Sequence, residues 1–137
     1  MQKSQSGFTL VELVVVIVLL GILGVTALGK YQDLSADATT AANEGIASEM
    51  AAAASINYAA FILTPGSEDT DIDSGTTCDE TDADILGLFA TGNFPTGYQL
   101  AAGASTCGAA GEVLECSVSA TSGVGTAATA SMICTGG

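Results

Sequence analysis

The chain of 137 residues has no histidine and no tryptophan, and lysine is its only basic residue, at Lys3 and Lys30. Each absence excludes something. Without histidine there is no Ser-His-Asp or Cys-His catalysis. A Ser-Lys dyad would have to use Lys30, which stands at the end of a long apolar run, so no enzyme is expected. Without a basic cluster, phosphates cannot be neutralised, so direct nucleic-acid binding is not expected. The fifteen acidic residues set the net charge at −13. Proline is scarce too, with two residues, Pro65 and Pro95. The first 64 residues are therefore free of the strongest helix breaker.

What is present begins at Gly7-Phe8-Thr9-Leu10-Val11-Glu12-Leu13. From Leu13 to Gly29 there is no charge at all. With Phe8–Glu12 this reaches about the 20 residues that span a bilayer as a helix. In lipid only a helix satisfies the backbone of the β-branched run Val14-Val15-Val16-Ile17-Val18. Glu12 is the anomaly. An ionised side chain at the centre of a bilayer costs about 2.5–3.5 kcal/mol on insertion scales, so such a residue is expected to have a function and a partner. A cut after Gly7 would create one, because the new Phe8 amine lies four residues before Glu12 on the same helix face. Gly21, Gly24 and Gly29 each cost up to about 1 kcal/mol of helix propensity. They are either close-packing points or the weak points of the helix.

This N-terminus resembles that of type IV pilins over Gly7 to about Gly24. A wider likeness through Val25–Tyr31 and the Ala-rich stretch beyond is similar to the mannose-sensitive haemagglutinin branch. The resemblance implies a leader, Met1–Gly7, removed by a prepilin peptidase, and N-methylation of the new Phe8 terminus. Losing Lys3 would make the mature chain one unit more negative, with Lys30 its only basic side chain. It implies assembly into a helical homopolymer by inner-membrane machinery, with Phe8, Thr9, Leu10 and Glu12 at the assembly end. In many pilins a proline stands at the position of Gly29, and the helix melts before it in the filament. This chain has glycine there. The precursor is expected in the inner membrane and the product in a pilus on the cell surface, used for attachment. Alternatives are a type II secretion pseudopilin and a monomeric membrane-anchored periplasmic binding domain.

The implied fold is α+β, the type IV pilin fold: a long N-terminal helix packed on a small antiparallel sheet. The segments expected are the leader 1–7, an assembly helix 8–29, an amphipathic helix 30–63 and a disulfide-bonded β domain 64–137. A helix from Phe8 to Ile62 would be about 80 Å long. Ile46, Met50, Ala53 or Ala54, and Phe61 form the stripe expected to face the sheet. Thr64-Pro65-Gly66-Ser67 ends the helix. Strands are expected at 86–90, 98–102, 113–118 and 127–134, as a sheet of three or four.

Cys78, Cys107, Cys116 and Cys134 all follow the apolar helix, without zinc-like spacing. Their even number points to two disulfides in an oxidising compartment. Three connectivities exist. Cys78–Cys107 with Cys116–Cys134 is preferred, and Cys78–Cys134 with Cys107–Cys116 comes next. No cofactor motif is present, with one exception to weigh. Asp69, Asp71, Asp73 and Glu80 approach a calcium loop, although Ser74 stands where the loop needs glycine and Gly75 comes one place late. A solvated acidic loop is the simpler reading.

Overall fold

A computed structural model describes residues 7–64, 66 and 70–136. The expected leader, apart from Gly7, lies outside the described residues, as do Pro65 and Asp69. The chain divides into two compact units, one up to Ser35 and one from Ala36. Helix α1, Leu10–Leu63, contributes to both. From Ala36 the helix shares a core with the C-terminal residues.

In the first unit α1 is a helix without tertiary cover. Every residue from Leu10 to Leu28 is exposed. In the second unit α1 buries Asn43, Ala47, Met50, Ala54 and Asn57. That spacing of four and three is one helical face. Met50 and Ala54 lie in it as expected. Ile46 and Phe61 flank it and are half-buried, and Phe61 stacks on Tyr58 with ring centroids 6.1 Å apart.

The stripe packs on a three-stranded antiparallel sheet in the order β1-β2-β3: β1 Tyr98–Ala102, β2 Val113–Ala120 and β3 Ala128–Ile133. Strand β2 alternates strictly, burying Leu114, Cys116, Val118 and Ala120. Register places Leu100 opposite Val118, Cys116 opposite Ala130, and Leu114 opposite Met132. Those pairs share one core with Met50, Ala54, Ile72, Ile85 and Phe89.

The strand expected at 86–90 is absent. In its place stands a short helix, α2, Ala83–Gly87. Asp82 caps it by accepting from the Asp84 N–H at 2.9 Å. Ile85 and Phe89, four residues apart, both reach the core. That is helical spacing, and it outweighs the β character of the apolar run.

Two asparagines on the buried face of α1 fasten the loops. The Asn57 side chain donates to the Thr70 carbonyl at 2.7 Å and accepts from the Thr70 N–H at 3.3 Å. The Asn43 side chain donates to the Thr126 carbonyl at 2.7 Å, while the Thr126 N–H donates to the Thr40 hydroxyl at 2.9 Å. Gly125 makes this second attachment possible. Its φ is +80°, and a Cβ there would stand 2.9 Å from the Thr40 nitrogen. Both backbone strain and a clash oppose a side chain. Gly125→Ala is expected to lower stability by about 2 kcal/mol or more, read by thermal denaturation of the mature protein. An unchanged midpoint would contradict this docking.

Candidate functional site

The N-terminal helix brings one carboxylate to the head of a long apolar surface. Gly7, Phe8 and Thr9 precede the first turn of α1, and Leu10 opens it. The Thr9 N–H and the Thr9 hydroxyl donate to Glu12 Oε2 at 2.8 and 2.7 Å. The Glu12 N–H donates back to the Thr9 hydroxyl at 3.3 Å. This reciprocal arrangement is a capping box, Thr-x-x-Glu, which satisfies two otherwise orphaned backbone donors at a helix start. The signal for it in the sequence is the Thr-x-x-Glu spacing of Thr9 and Glu12, a local role that is separate from the charge of Glu12. A carboxylate in the first turn also complements the positive end of the helix dipole.

The box therefore holds Glu12 at the helix terminus, beside Thr9 and one residue further from Phe8. Lys30 is no rival partner within the chain. It is about 27 Å down the helix at 1.5 Å per residue, and its ammonium lies 3.9 Å from Asp33, both exposed. A pair this exposed contributes little.

From Leu13 to Gly29 the helix surface is exposed and carries no charge. Among the described residues α1 is the one helix long and apolar enough to cross a membrane. An exposed apolar face of this extent marks contact with lipid or with other helices. Thr26, the polar residue within it, bonds its hydroxyl to the Leu23 carbonyl at 3.0 Å and so presents no unpaired donor. Helix α1 runs unbroken through Gly21, Gly24 and Gly29, and nothing lies within 4 Å of a Cβ built at any of them. Their space is open to a neighbouring helix.

The second unit is closed by disulfides that correct both expected pairings. Cys78 bonds Cys116, and Cys107 bonds Cys134, with Cα separations of 5.5 and 5.8 Å. Register explains why Cys116–Cys134 fails. Cys116 lies opposite Ala130. Cys134 is four residues further along that strand, about 13 Å away at 3.3 Å per residue. A disulfide needs Cα atoms within about 7 Å. Cys134 instead reaches the start of β2, where its N–H donates to the Glu112 carbonyl at 2.9 Å. The Glu112 carboxylate accepts from the Gly108 and Ala109 N–H groups at 2.8 and 3.2 Å. That turn carries Cys107 to Cys134, leaving Cys116 to the acidic loop and Cys78. The runner-up pairing fails with it.

The acidic loop is organised by threonine hydroxyls. The Asp71 carboxylate accepts from the Thr135 hydroxyl at 2.9 Å, and Asp73 accepts from the Gly75 N–H at 2.6 Å. Asp84 accepts from the Thr76 hydroxyl at 3.0 Å. Glu80 turns to the Leu100 N–H at 3.4 Å. Among the described residues no three acidic, histidine or cysteine side chains cluster as a metal would require. Asp71, Asp73 and Glu80 each accept from a different element: the C-terminal Thr135, the adjacent Gly75 and Leu100 of β1. Asp69, the first ligand of the anticipated calcium loop, lies outside the described residues. Hydrogen bonds from the Thr81 hydroxyl and N–H hold the Asp79 carboxyl below its usual range. At Asp82 burial pulls upward, but donors from Thr77, Asp84 and Ile85 together outweigh it and the carboxyl is lowered.

An uncovered apolar helix headed by one capped carboxylate, followed in the chain by a small disulfide-tied α+β unit, is consistent with the expected type IV pilin fold. Comparison with known proteins agrees. Residues 2–28 match the prokaryotic N-terminal methylation motif. Two fimbrial proteins of Pseudomonas aeruginosa are each 38% identical over 78 residues, which cover 55% of this chain and 51% of theirs. The chain spans about half the length of the curated relatives it matches. No solved structure matches it. Motif, relatives and fold together support a type IV pilin subunit. Nothing in them points to the mannose-sensitive haemagglutinin branch in particular.

Proposed function

We propose that this chain is the repeating subunit, the major pilin, of a type IV pilus used for surface attachment. The observation that carries the reading is Glu12: a single carboxylate, at the head of a long exposed helix whose next seventeen residues carry no charge. A prepilin peptidase cuts after Gly7 on the cytoplasmic side, and Phe8 becomes the methylated N-terminus. The helix waits in the inner membrane until the assembly machinery extracts it. In the fibre, helices cover one another's apolar faces. Glu12 pairs with the Phe8 amine of an adjacent subunit, so two charges leave water together. Polymerisation therefore needs no further cation, in a chain whose mature part has only Lys30. The role is structural rather than enzymatic.

The N-terminal features are common to pilins and secretion pseudopilins. The two disulfides favour the extracellular fibre, where a small domain with a thin core must last without chaperones. Electron microscopy of material sheared from cells tests the choice. Long fibres containing this chain support the pilus, and their absence under conditions of full expression contradicts it.

Processing has its own test. Gly7→Glu is expected to block maturation, leaving the uncut precursor in the membrane fraction. An intact mass that starts at Phe8 in this variant would contradict the assigned site.

A further inference from the structure

A cavity of about 490 Å³ opens between the acidic loop and the turn that enters β1, a size within the usual range for small-ligand sites. Glu80, Thr81, Phe94, Pro95 and Tyr98 contribute to its lining. Its walls are held from behind. Phe94 packs edge-on against buried Phe89 with centroids 5.6 Å apart. Tyr98 is paired in register with Ala120. The Thr121 N–H and hydroxyl both donate to the Gly97 carbonyl, at 2.9 and 3.1 Å. Two residues before Glu80, Cys78 is bridged to β2. The cavity does not have to be built when a ligand arrives, and such preorganisation favours binding.

The chemistry of the lining is asymmetric. The Thr81 hydroxyl and N–H are both committed to Asp79. The Asn93 side chain, also in the lining, donates to the Thr91 carbonyl at 2.9 Å. Besides the Thr96 and Tyr98 hydroxyls, the pocket offers the Glu80 carboxylate, which receives one long bond at 3.4 Å, with the aromatic side chains of Phe94 and Tyr98 in the same lining. No cation lines it. With one carboxylate and no cation in the lining, a positively charged ligand is favoured over an anion. A carboxylate beside two aromatic rings suits a cation that is weakly hydrated, because ring faces attract such charge.

We infer that this pocket binds an organic ammonium ion, held between the Glu80 carboxylate and the faces of Phe94 and Tyr98. The ion is of the quaternary, weakly hydrated kind that a choline headgroup carries. This inference is independent of the pilus reading, since it uses only the second unit.

The test is NMR titration of the isotope-labelled mature chain in maltoside micelles. Choline is the probe, Nα-acetyl-lysine amide the strongly hydrated comparison, and 3,3-dimethylbutanol is choline's uncharged isostere. Saturable shifts at the Leu100 and Tyr98 amides are expected with choline, at a dissociation constant on the order of millimolar. Nα-acetyl-lysine amide is expected to bind more weakly, and tighter binding of it than of choline overturns the inference. The isostere and the Glu80→Gln variant are each expected to weaken binding about tenfold. Glutamine can still accept from the Leu100 N–H, so the remainder of the spectrum should stay in place. No saturable shift with choline, or equal binding of the uncharged isostere, overturns the inference.

Discussion

Cells whose only copy of this chain carries Glu12→Ala are expected to lose surface fibres while still cutting the precursor after Gly7. In the assembled state the substitution leaves the Phe8 amine buried without its counter-charge. Removing one member of a buried pair is far more damaging than never having had the pair. Each subunit contact should weaken about a hundredfold or more, and a polymer multiplies that loss along its length. The capping box at Thr9 and Glu12 supplies a rival explanation, that alanine merely frays the helix start. Glu12→Gln separates the two. Glutamine can still close a capping box with threonine, yet it carries no charge. If charge pairing drives assembly, Glu12→Gln fails nearly as completely as Glu12→Ala. If capping is the whole role, Glu12→Gln assembles normally. The readout is the amount of sheared fibre per cell, with the mature mass measured in parallel to show that processing continues.

The second large effect is expected at the bridge between Cys107 and Cys134. It closes a span of 27 residues and ties the β1–β2 turn to the end of β3. In the chain-entropy model a loop of that length contributes about 3.5 kcal/mol. For a domain of roughly 100 residues each kcal/mol moves the melting temperature by about 4–8 °C. The double variant Cys107→Ser/Cys134→Ser should therefore melt about 15–30 °C lower than the parent. The core explains why so much rests on it. Cys107 and Cys134 are themselves core residues, beside small partners such as Ala47, Ala54 and Ala130. Removal of the bridge also leaves two serine hydroxyls where sulfur was buried. Peptide mapping without reduction provides the prior check. It should recover Cys78 joined to Cys116 and Cys107 joined to Cys134, and fragments joining Cys116 to Cys134 would contradict the sheet register.

These expectations divide along a line that the residues themselves explain. The anchor and its carboxylate were legible because the signal is local: an uncharged run from Leu13 to Gly29 interrupted by nothing, with one acid before it. Strands β1, β2 and β3 were legible for a related reason, since alternation at Leu114, Cys116 and Val118 has the period of a strand. The disulfide pairing was not, because it depends on which residue of β3 faces Cys116, and that register is a property of two strands together. Helix α2 was misjudged because Ile85-Leu86-Gly87-Leu88-Phe89 is apolar throughout, and only the cap at Asp82 and the spacing of Ile85 and Phe89 reveal the helix. Asn43 and Asn57 were missed as core residues because amides are seldom buried. Each is held there by its bond to a loop backbone. The calcium frame rests on carboxylate spacing in sequence, whereas the fold gives Asp71 a bond from the Thr135 hydroxyl, Asp73 one from the Gly75 N–H and Glu80 one from the Leu100 N–H, partners that spacing does not reveal.

The central claim is that cleavage creates the charge that Glu12 meets in the fibre. Cryo-electron microscopy of fibres sheared from cells, at side-chain resolution, measures this directly. The account predicts chains that begin at Phe8, with the Glu12 carboxylate within about 4 Å of a neighbouring subunit's Phe8 amine. Fibres in which Glu12 contacts only Thr9 of its own chain, with no Phe8 amine in reach, would contradict it.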